Sequence, residues 1–234
     1  MIRVSPKAMT EANRISSVAL NSRKSIWQEA AETALNISTL NVRSLVKHLA
    51  DISHDHILLG SHIMCINETF LTSSDSRDIS IRDYAVYACG EGRGKGVAVY
   101  VKEAMPPVRV LRADSQHYQI IKVGYLGFDV IAIYISPSIS DNIGVLDDLD
   151  QMIEADRCTV VCGDINCNAN GEAVTALLNQ HGFTQIVDQP THIQGGTLDH
   201  FYVRPLTNVI DHFVHPLYFS DHDAVCVSMA GMIC

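Results

Sequence analysis

Two short segments in the C-terminal half carry the side chains best placed to do chemistry, Gly163-Asp164-Ile165-Asn166 and Ser220-Asp221-His222. The first follows the apolar run Cys158-Thr159-Val160-Val161-Cys162. That run reads as a buried strand delivering a carboxylate and a carboxamide at its C-terminal end. The second lies between Pro216-Leu217-Tyr218-Phe219 and Ala224-Val225-Cys226-Val227, which puts an acid and an imidazole side by side at the mouth of another strand. Open α/β sheets place ligands at strand ends. An acid that polarises water, an amide that holds an oxyanion and a histidine that stabilises it are the parts needed to hydrolyse a phosphodiester.

Further segments extend the set. Ile37-Ser38-Thr39-Leu40 is an apolar strand ending in Asn41, and His62-Ile63-Met64-Cys65-Ile66 runs into Asn67-Glu68-Thr69. Val130-Ile131-Ala132-Ile133 ends in Tyr134, and Gly195-Gly196-Thr197-Leu198 opens a strand at Asp199. The chain order is therefore Asn41, Glu68, Tyr134, Asp164-x-Asn166, Asp199 and Ser220-Asp221-His222. This series resembles the endonuclease/exonuclease/phosphatase superfamily. Tyr134 and the series as a whole are most similar to its apurinic/apyrimidinic-endonuclease branch, above all to endonuclease domains of LINE-type retrotransposons and related mobile elements. The resemblance spans roughly residues 35–230, and it rests on motifs in order at strand ends rather than on any single tetrapeptide.

The resemblance implies roles for these residues. Glu68 follows an apolar strand, where a carboxylate is costly unless paired or bound to a cation. It is the expected ligand of Mg2+, with Mn2+ as a substitute, because magnesium favours oxygen ligands and retains several waters. Asn41 steadies the metal-side carboxylate, and Asp221 is the second metal-side acid or an acceptor for metal-bound waters. Asp164 orients or deprotonates the attacking water, although an acid at a strand end also suits an Asx turn. Asn166 donates to the phosphate, and His222 binds it, held in tautomer by Asp199. Tyr134 is either a phenol beside the phosphate or leaving oxygen, or a core tyrosine with a wet hydroxyl. Thr191, in Gln189-Pro190-Thr191-His192, is a phosphate contact or a plain turn residue after proline. Ser220 joins the candidate phosphate contacts but reads mainly as support for its turn. With no nearby base it is not a nucleophile. Arg43 departs from the pattern, since many relatives carry Asp or Asn there. It is a phosphate contact or a cap on the helix face.

The implied activity is nicking of one DNA strand to leave 3′-hydroxyl and 5′-phosphate ends. The alternatives are a phosphodiesterase or phosphatase acting on RNA, inositol phosphate or lipid, and a non-catalytic nucleic-acid-binding module. Side chains available for base readout are few. Only the seven residues His192 to Leu198 separate Thr191 from Asp199, with Gly195-Gly196 as the turn, which leaves little room for reading base edges.

The elements that must position these residues follow from composition and periodicity. The chain has 234 residues, 47% hydrophobic and 18% charged, enough for one sizeable core. The expected fold is α/β (α+β), a two-sheet β-sandwich flanked by helices in four layers. Residues 35–234 form the domain, and residues 1–34 an N-terminal extension or linker; a mitochondrial presequence is the less favoured reading of its basic residues. A helix is expected within 42–60 from Leu45, Val46, Leu49 and Ile52, another over Ser138–Ala155 capped near Ser140 or Asp141, and a third over Glu172–His181 closed by Gly182. Ser25–Leu35 is expected as a short amphipathic helix. Strands are expected at Ala85–Ala88, Gly96–Val101, Tyr118–Val123 and Phe128–Tyr134, and again after Thr197.

The net charge of −9 argues against a broad basic footprint for nucleic acid. A divalent cation at an acidic site reverses the local sign, so binding falls to a restricted groove. The partners implied are DNA and, in a larger protein, fused reverse transcriptase or helicase modules. No membrane partner is expected, and the isolated domain reads as a monomer. The seven cysteines are odd in number and contain no CxxC pair, which fits a reducing compartment, nuclear or cytoplasmic. Two weaker zinc readings remain, Cys162 with Cys167, and His212 and His215 with His222.

Overall fold

The computed structural model describes residues 22, 25, 27, 34–73, 75, 79–137, 143–166 and 169–230. The chain opens with β1 (Ala34–Asn41), α1 (Leu45–Ile52), a 3-10 turn at Leu58–Gly60 and β2 (Ile63–Asn67). Then come β3 (Tyr84–Cys89), β4 (Val97–Lys102), β5 (Arg109–Asp114), β6 (Tyr118–Gly124) and β7 (Phe128–Ile135). The second half runs α2 (Ile143–Met152), β8 (Cys158–Asp164), α3 (Ala169–Gln180), β9 (Thr184–Gln185), β10 (Asp199–Arg204), β11 (Val209–His215) and β12 (Ala224–Ala230).

The strands form two mixed six-stranded sheets, ordered β11-β12-β1-β2-β4-β3 and β5-β6-β7-β8-β10-β9. Leu35, Ile37, Cys65 and Val99 of the first sheet meet Val130, Ala132, Val160 and Phe201 of the second in one buried core. The outer face of the first sheet is covered through Leu45 and Ile52 of α1, against Met64, Ile66 and Tyr100. The outer face of the second is covered through Val145 and Leu149 of α2 and Val174 and Leu178 of α3, against Ile131, Ile133 and Val161. This is the expected four-layer sandwich. Strands β1, β2, β7 and β8 are buried on both faces, which is why they read as continuous apolar runs rather than alternations.

Several boundaries differ from the sequence reading. Ser25 and Trp27 are helical, but Ala34 and Leu35 already belong to β1. The helix expected within 42–60 is only the eight residues of α1 followed by the 3-10 turn. Helix α3 starts earlier than expected and stops where Gly182, at φ 76°, takes the left-handed conformation. Phe183 N–H reaches back to Leu178 at 3.0 Å and Gly182 N–H to Asn179 at 3.0 Å, closing the helix end. The cap expected near Ser140 or Asp141 lies outside the described residues. Trp27 is 1% exposed, packs edge-on to Phe213 and donates to the Ile57 carbonyl at 3.0 Å, so part of the N-terminal segment docks on the first sheet.

Candidate active site

The residues named from the sequence gather at one end of the sandwich because the two sheets are pinned there by register. Strands β1 and β2 run parallel with Asn41 opposite Asn67, and β8 and β10 run antiparallel with Asp164 opposite Asp199. Asn67 joins the sheets. It is fully buried, donates to the Ile133 carbonyl at 3.0 Å and accepts from Asp164 N–H at 3.2 Å. The sequence reading missed this role; the available signal was an asparagine ending a buried strand beside Glu68.

The backbone around the site is unusual. Of the described non-glycine residues at positive φ, all but Asp83 belong to it or to the turns that carry it: Arg43, Ser44, Glu68, Phe70 and Asn166. Such conformations cost about 1–3 kcal/mol each and mark places where the fold holds a side chain against local preference. Gly163 has φ 142°, and a Cβ there would lie 1.9 Å from the Ile133 carbonyl oxygen. Only glycine fits immediately before Asp164.

One carboxamide organises the acids. Asn41 Nδ2 donates to Glu68 Oε1 at 2.9 Å and to Asp164 Oδ2 at 2.8 Å, while its Oδ1 accepts from Arg43 N–H at 3.1 Å. Asn41 therefore orients carboxylates from both sheets. Asp164 is almost wholly buried, and its Oδ1 accepts from Asn166 N–H at 3.1 Å. Burial and then the nearby Asp199 charge push its carboxyl well above the usual carboxylate range. Asn166 directs its side-chain amide to the Ile135 carbonyl at 2.8 Å.

The histidine side is equally defined. His222 Nδ1 lies 2.7 Å from Asp199 Oδ2. Burial opposes the imidazolium, but the Asp199 hydrogen bond and charge outweigh it and raise the pKa to about 9. Thr191 is fully buried, and its hydroxyl oxygen accepts the amides of Leu198 and Asp199, each at 3.0 Å. It thereby clamps the start of β10 and so the position of Asp199. Ser220 donates to the Asn41 carbonyl at 2.7 Å and accepts from His222 N–H at 3.2 Å, the turn-supporting role expected of it. Tyr134 is 1% exposed and donates to the Gly94 carbonyl at 3.0 Å. Burial, then the charges of Glu68 and Asp164, raise its pKa above the ordinary value, which keeps the phenol protonated.

Asp221 and Arg43 pair directly, NH1 to Oδ2 at 2.6 Å. Burial works against the Asp221 charge, yet the guanidinium holds its carboxyl below the ordinary value. The imidazole brought next to His222 is His192, with ring centroids 4.7 Å apart, a neighbour that sequence spacing did not reveal. His215 instead pairs with Asp55 at 2.9 Å, and His212 and His215 form no ligand group with His222 among the described residues. Cys167, in the other zinc reading, lies outside the described residues.

Ligand atoms of Asp164, Asp199 and His222 lie within 4.8 Å of one another, as do those of His192, Asp221 and His222. Asp199 Oδ1 and Asp221 Oδ1 are buried with no hydrogen-bond partner. Crowded acids and orphaned carboxylate oxygens are a donor set suited to a hard divalent cation.

The model of the endonuclease/exonuclease/phosphatase family matches residues 32–222. The chain belongs to that family. Among curated proteins none matches the sequence significantly. Solved structures of this fold include the endonuclease domain of TRAS1, a telomere-specific non-LTR retrotransposon, at 15% identity and TM-score 0.64, covering 84% of this chain and 98% of that one. An AP endonuclease from Archaeoglobus fulgidus matches at 18% identity and TM-score 0.64, covering 83% and 99%. A 3′-5′ exonuclease from Neisseria meningitidis matches at 18% identity and TM-score 0.70, covering 84% and 100%. These likenesses establish a common fold. No helix among the described residues is long and apolar enough to cross a membrane.

Proposed function

We propose that this protein is a divalent-metal-dependent DNA endonuclease that nicks one strand, leaving 3′-hydroxyl and 5′-phosphate ends. The observation that carries the reading is the convergence, from both sheets, of Asn41, Glu68 and Asp164 beside the Asp199–His222 pair. Glu68 and Asp221, with Asn41 orienting the Glu68 carboxylate, would hold Mg2+ or, in its place, Mn2+. Such an ion supplies charge neutralisation on the scissile phosphate.

The protein's own groups supply the remainder. Asp164 accepts a proton from the attacking water, and its raised proton affinity suits a base working near neutrality. The water oxygen bonds to phosphorus as the bond to the 3′-oxygen breaks, and the departing 3′-oxygen takes up a proton from solvent to become the hydroxyl. The His222 cation, fixed by Asp199, faces the charge that develops on the phosphoryl oxygens. Asn166, with the second hydrogen of the amide that holds the Ile135 carbonyl, is the neutral donor at this end, Tyr134 would join it by turning its hydroxyl from the Gly94 carbonyl, and Arg43 is the exposed cation. Thr191 and Ser220 serve through the backbone they hold.

A mobile-element origin is supported by the fold shared with the TRAS1 domain, and there the 3′-hydroxyl would prime new synthesis. In this reading residues 35–234 are the nuclease domain and residues 1–34 an N-terminal extension or linker. The domain acts as a monomer in a reducing compartment, nuclear or cytoplasmic, with reverse transcriptase or helicase modules fused to it in a longer protein. The deciding experiment is relaxation of supercoiled plasmid. Nicking is expected with Mg2+ or Mn2+ and none with EDTA. Intact plasmid under all conditions, alongside hydrolysis of RNA, an inositol phosphate or a phospholipid, would replace this reading with the phosphodiesterase one.

A further inference from the structure

The β3–β4 connection carries charge that the proposed chemistry does not use. It reads Gly90-Glu91-Gly92-Arg93-Gly94-Lys95-Gly96, and all four glycines have positive φ, from 75° to 103° or, at Gly92, 109°. With glycine at every second position, the loop presents one acid and two cations. Its ends are tied down. Gly90 N–H donates to Asp114 Oδ2 and Gly96 N–H to the buried Gln119 Oε1, each at 3.0 Å. Gly92 N–H donates to the Leu71 carbonyl at 2.8 Å, and the Lys95 and Gly96 carbonyls accept from Phe70 at 3.1 Å and Thr69 at 3.3 Å. A Cβ on Gly96 would lie 2.2 Å from Thr69 Oγ1, so the loop packs directly on the turn that presents Glu68. From the second sheet, the Tyr134 hydroxyl donates to the Gly94 carbonyl at 3.0 Å. The loop is therefore seated at the rim of the site.

Its tip is left open. Among the described residues, the amides of Arg93, Gly94 and Lys95 donate to nothing, and neither the exposed Arg93 guanidinium nor the Lys95 ammonium has a partner. Elsewhere the cations are engaged: Arg43, Arg109, Lys122 and Arg157 in ion pairs, Arg204 on backbone carbonyls, Lys102 over the Tyr84 ring. Consecutive unsatisfied amides beside an arginine and a lysine suit a phosphate, through point charge, planar fork and backbone donors together. We infer that the Arg93–Lys95 tip grips a backbone phosphate of the DNA next to the scissile one. The inference rests on the DNA-nuclease reading and names where a chain of net charge −9 holds its substrate. Tyr134 and His222 attend the scissile position, and a grip one hydrogen bond outward from Tyr134 meets a neighbouring phosphate. Such a contact fixes the strand without reading its bases.

The test compares Arg93→Gln and Lys95→Gln with Lys102→Gln, which removes the same charge at the far end of β4. Glutamine leaves the glycine backbone of the loop untouched, and thermal melting verifies the fold. Binding of a labelled duplex is followed by fluorescence anisotropy in an Asp164→Asn background, at fixed Mg2+ and over a series of salt concentrations. Each loop variant should raise Kd several-fold and flatten the slope of log Kd against log salt by about 0.9, the value for one lost phosphate contact. Lys102→Gln should leave the slope unchanged. With Asp164 restored, the loop variants should raise KM for plasmid nicking far more than they lower kcat, since the contact is shared by ground and transition states. Slopes for the loop variants that match Lys102→Gln would overturn the inference, and so would a chain that binds no duplex. The nuclease reading fails on a different result. A chain that binds duplex through the loop but nicks no plasmid with Mg2+ or Mn2+ would keep the grip and lose the reaction.

Discussion

The two ends of the second sheet both bury charge, but they settle it differently. At the end away from the active site, Lys122 and Asp129 are 1% and 0% exposed and lie 2.7 Å apart. Lys122 also donates to the Met152 carbonyl at 2.8 Å and Glu154 at 2.9 Å. Arg157 closes on Asp129 at 2.9 Å, and Arg109 adds a further contact to Glu154. Lysine and arginines match the acids, and neither Lys122 nor Asp129 retains an unpartnered buried atom. At the other end, among the described residues, Glu68, Asp164, Asp199 and Asp221 are met by the Arg43 guanidinium, the His222 imidazolium and the His192 ring beside Asp221. Carboxylate oxygens are left unpaired there, and burial drives the Asp164 carboxyl up. A balanced cluster holds the sandwich together. An acid-rich one stays ready to take a cation and a proton, and is stable only because the strands around it are fully buried.

The largest effect that would break this comparison is catalytic. Asp164→Ala or His222→Ala should each lower plasmid nicking by roughly 10³-fold or more, as loss of a charge-stabilising group does. Asp164→Asn should be just as inactive. Yet in the absence of metal and at alkaline pH it should melt no lower than the wild type, because it removes a carboxylate whose ionisation burial and the Asp199 charge oppose. Near-native nicking by any of these folded variants would sink the role assignment. A marked fall in the melting temperature of Asp164→Asn would show that the acid-rich end is structural after all.

The balanced end should give the converse result. Lys122→Met leaves Asp129 facing only Arg157, with no lysine beneath it. Breaking a buried pair in this way costs about 3–5 kcal/mol. Denaturant melts should show that loss, while the folded fraction keeps its turnover and its metal requirement. A loss below about 1 kcal/mol would mean that this cluster contributes no more than a surface pair.

A smaller, pH-dependent effect separates Asp199 from the remaining acids. His222 has its pKa raised from the ordinary imidazole value to about 9 against the cost of burial. A raised value means that the cation's stabilising contribution is full below the unfolded imidazole pKa and is lost as pH climbs through about 9. Activity that needs the cation should follow the same limb. Asp199→Asn removes the acceptor charge, so the alkaline limb should move to lower pH, with the deficit appearing at neutral and higher pH. A pH–rate profile of the variant that superimposes on the wild type would exclude the pair from catalysis.

Much of this was legible in the sequence because burial on both faces writes itself as long apolar runs. Strands β1, β2, β7 and β8 stand out in that way, and each carries at or next to its end a polar residue whose presence beside such a run needs explaining: Asn41, Glu68 just past β2, Tyr134 one residue before the end of β7, and Asp164. Edge elements carried no such signal. β5, Arg109 to Asp114, is largely exposed, and β9 has two residues, so neither was anticipated. Partnerships were also hidden. Nothing in spacing shows that Asn67 would bind the second sheet, that Thr191 would hold the amide of Asp199, or that Arg43 would meet Asp221 across 178 positions of chain. These depend on the packing of one sheet on the other, which only the fold reveals. His212 and His215 were plausible metal partners of His222 by proximity in sequence. The strand pairing of β11 with β12 instead sends His215 toward Asp55.

The smallest expected effect concerns target choice, and it sharpens the comparison from the substrate's side. The segment between Thr191 and Asp199 folds as a tight turn: Gly195 N–H reaches the His192 carbonyl at 2.8 Å, and Gly196 accepts from both Thr191 and His192 at 3.0 Å. Ile193, 83% exposed, and Gln194 stand at its tip. One isoleucine has no donor or acceptor for a base edge, and one glutamine reads at most a single base pair. What such a tip can do is press on the sugars and bases of a strand that bends to present its phosphate. Preference should therefore follow deformability, with flexible pyrimidine–purine steps favoured by a modest factor. Binding should weaken steeply as salt rises, because phosphate contacts carry it. Nick positions mapped on a long duplex should be many and only mildly biased, and Ile193→Ser should flatten the bias without removing activity. A single dominant site defined by several base pairs would refute this and would place a recognition surface away from the turn.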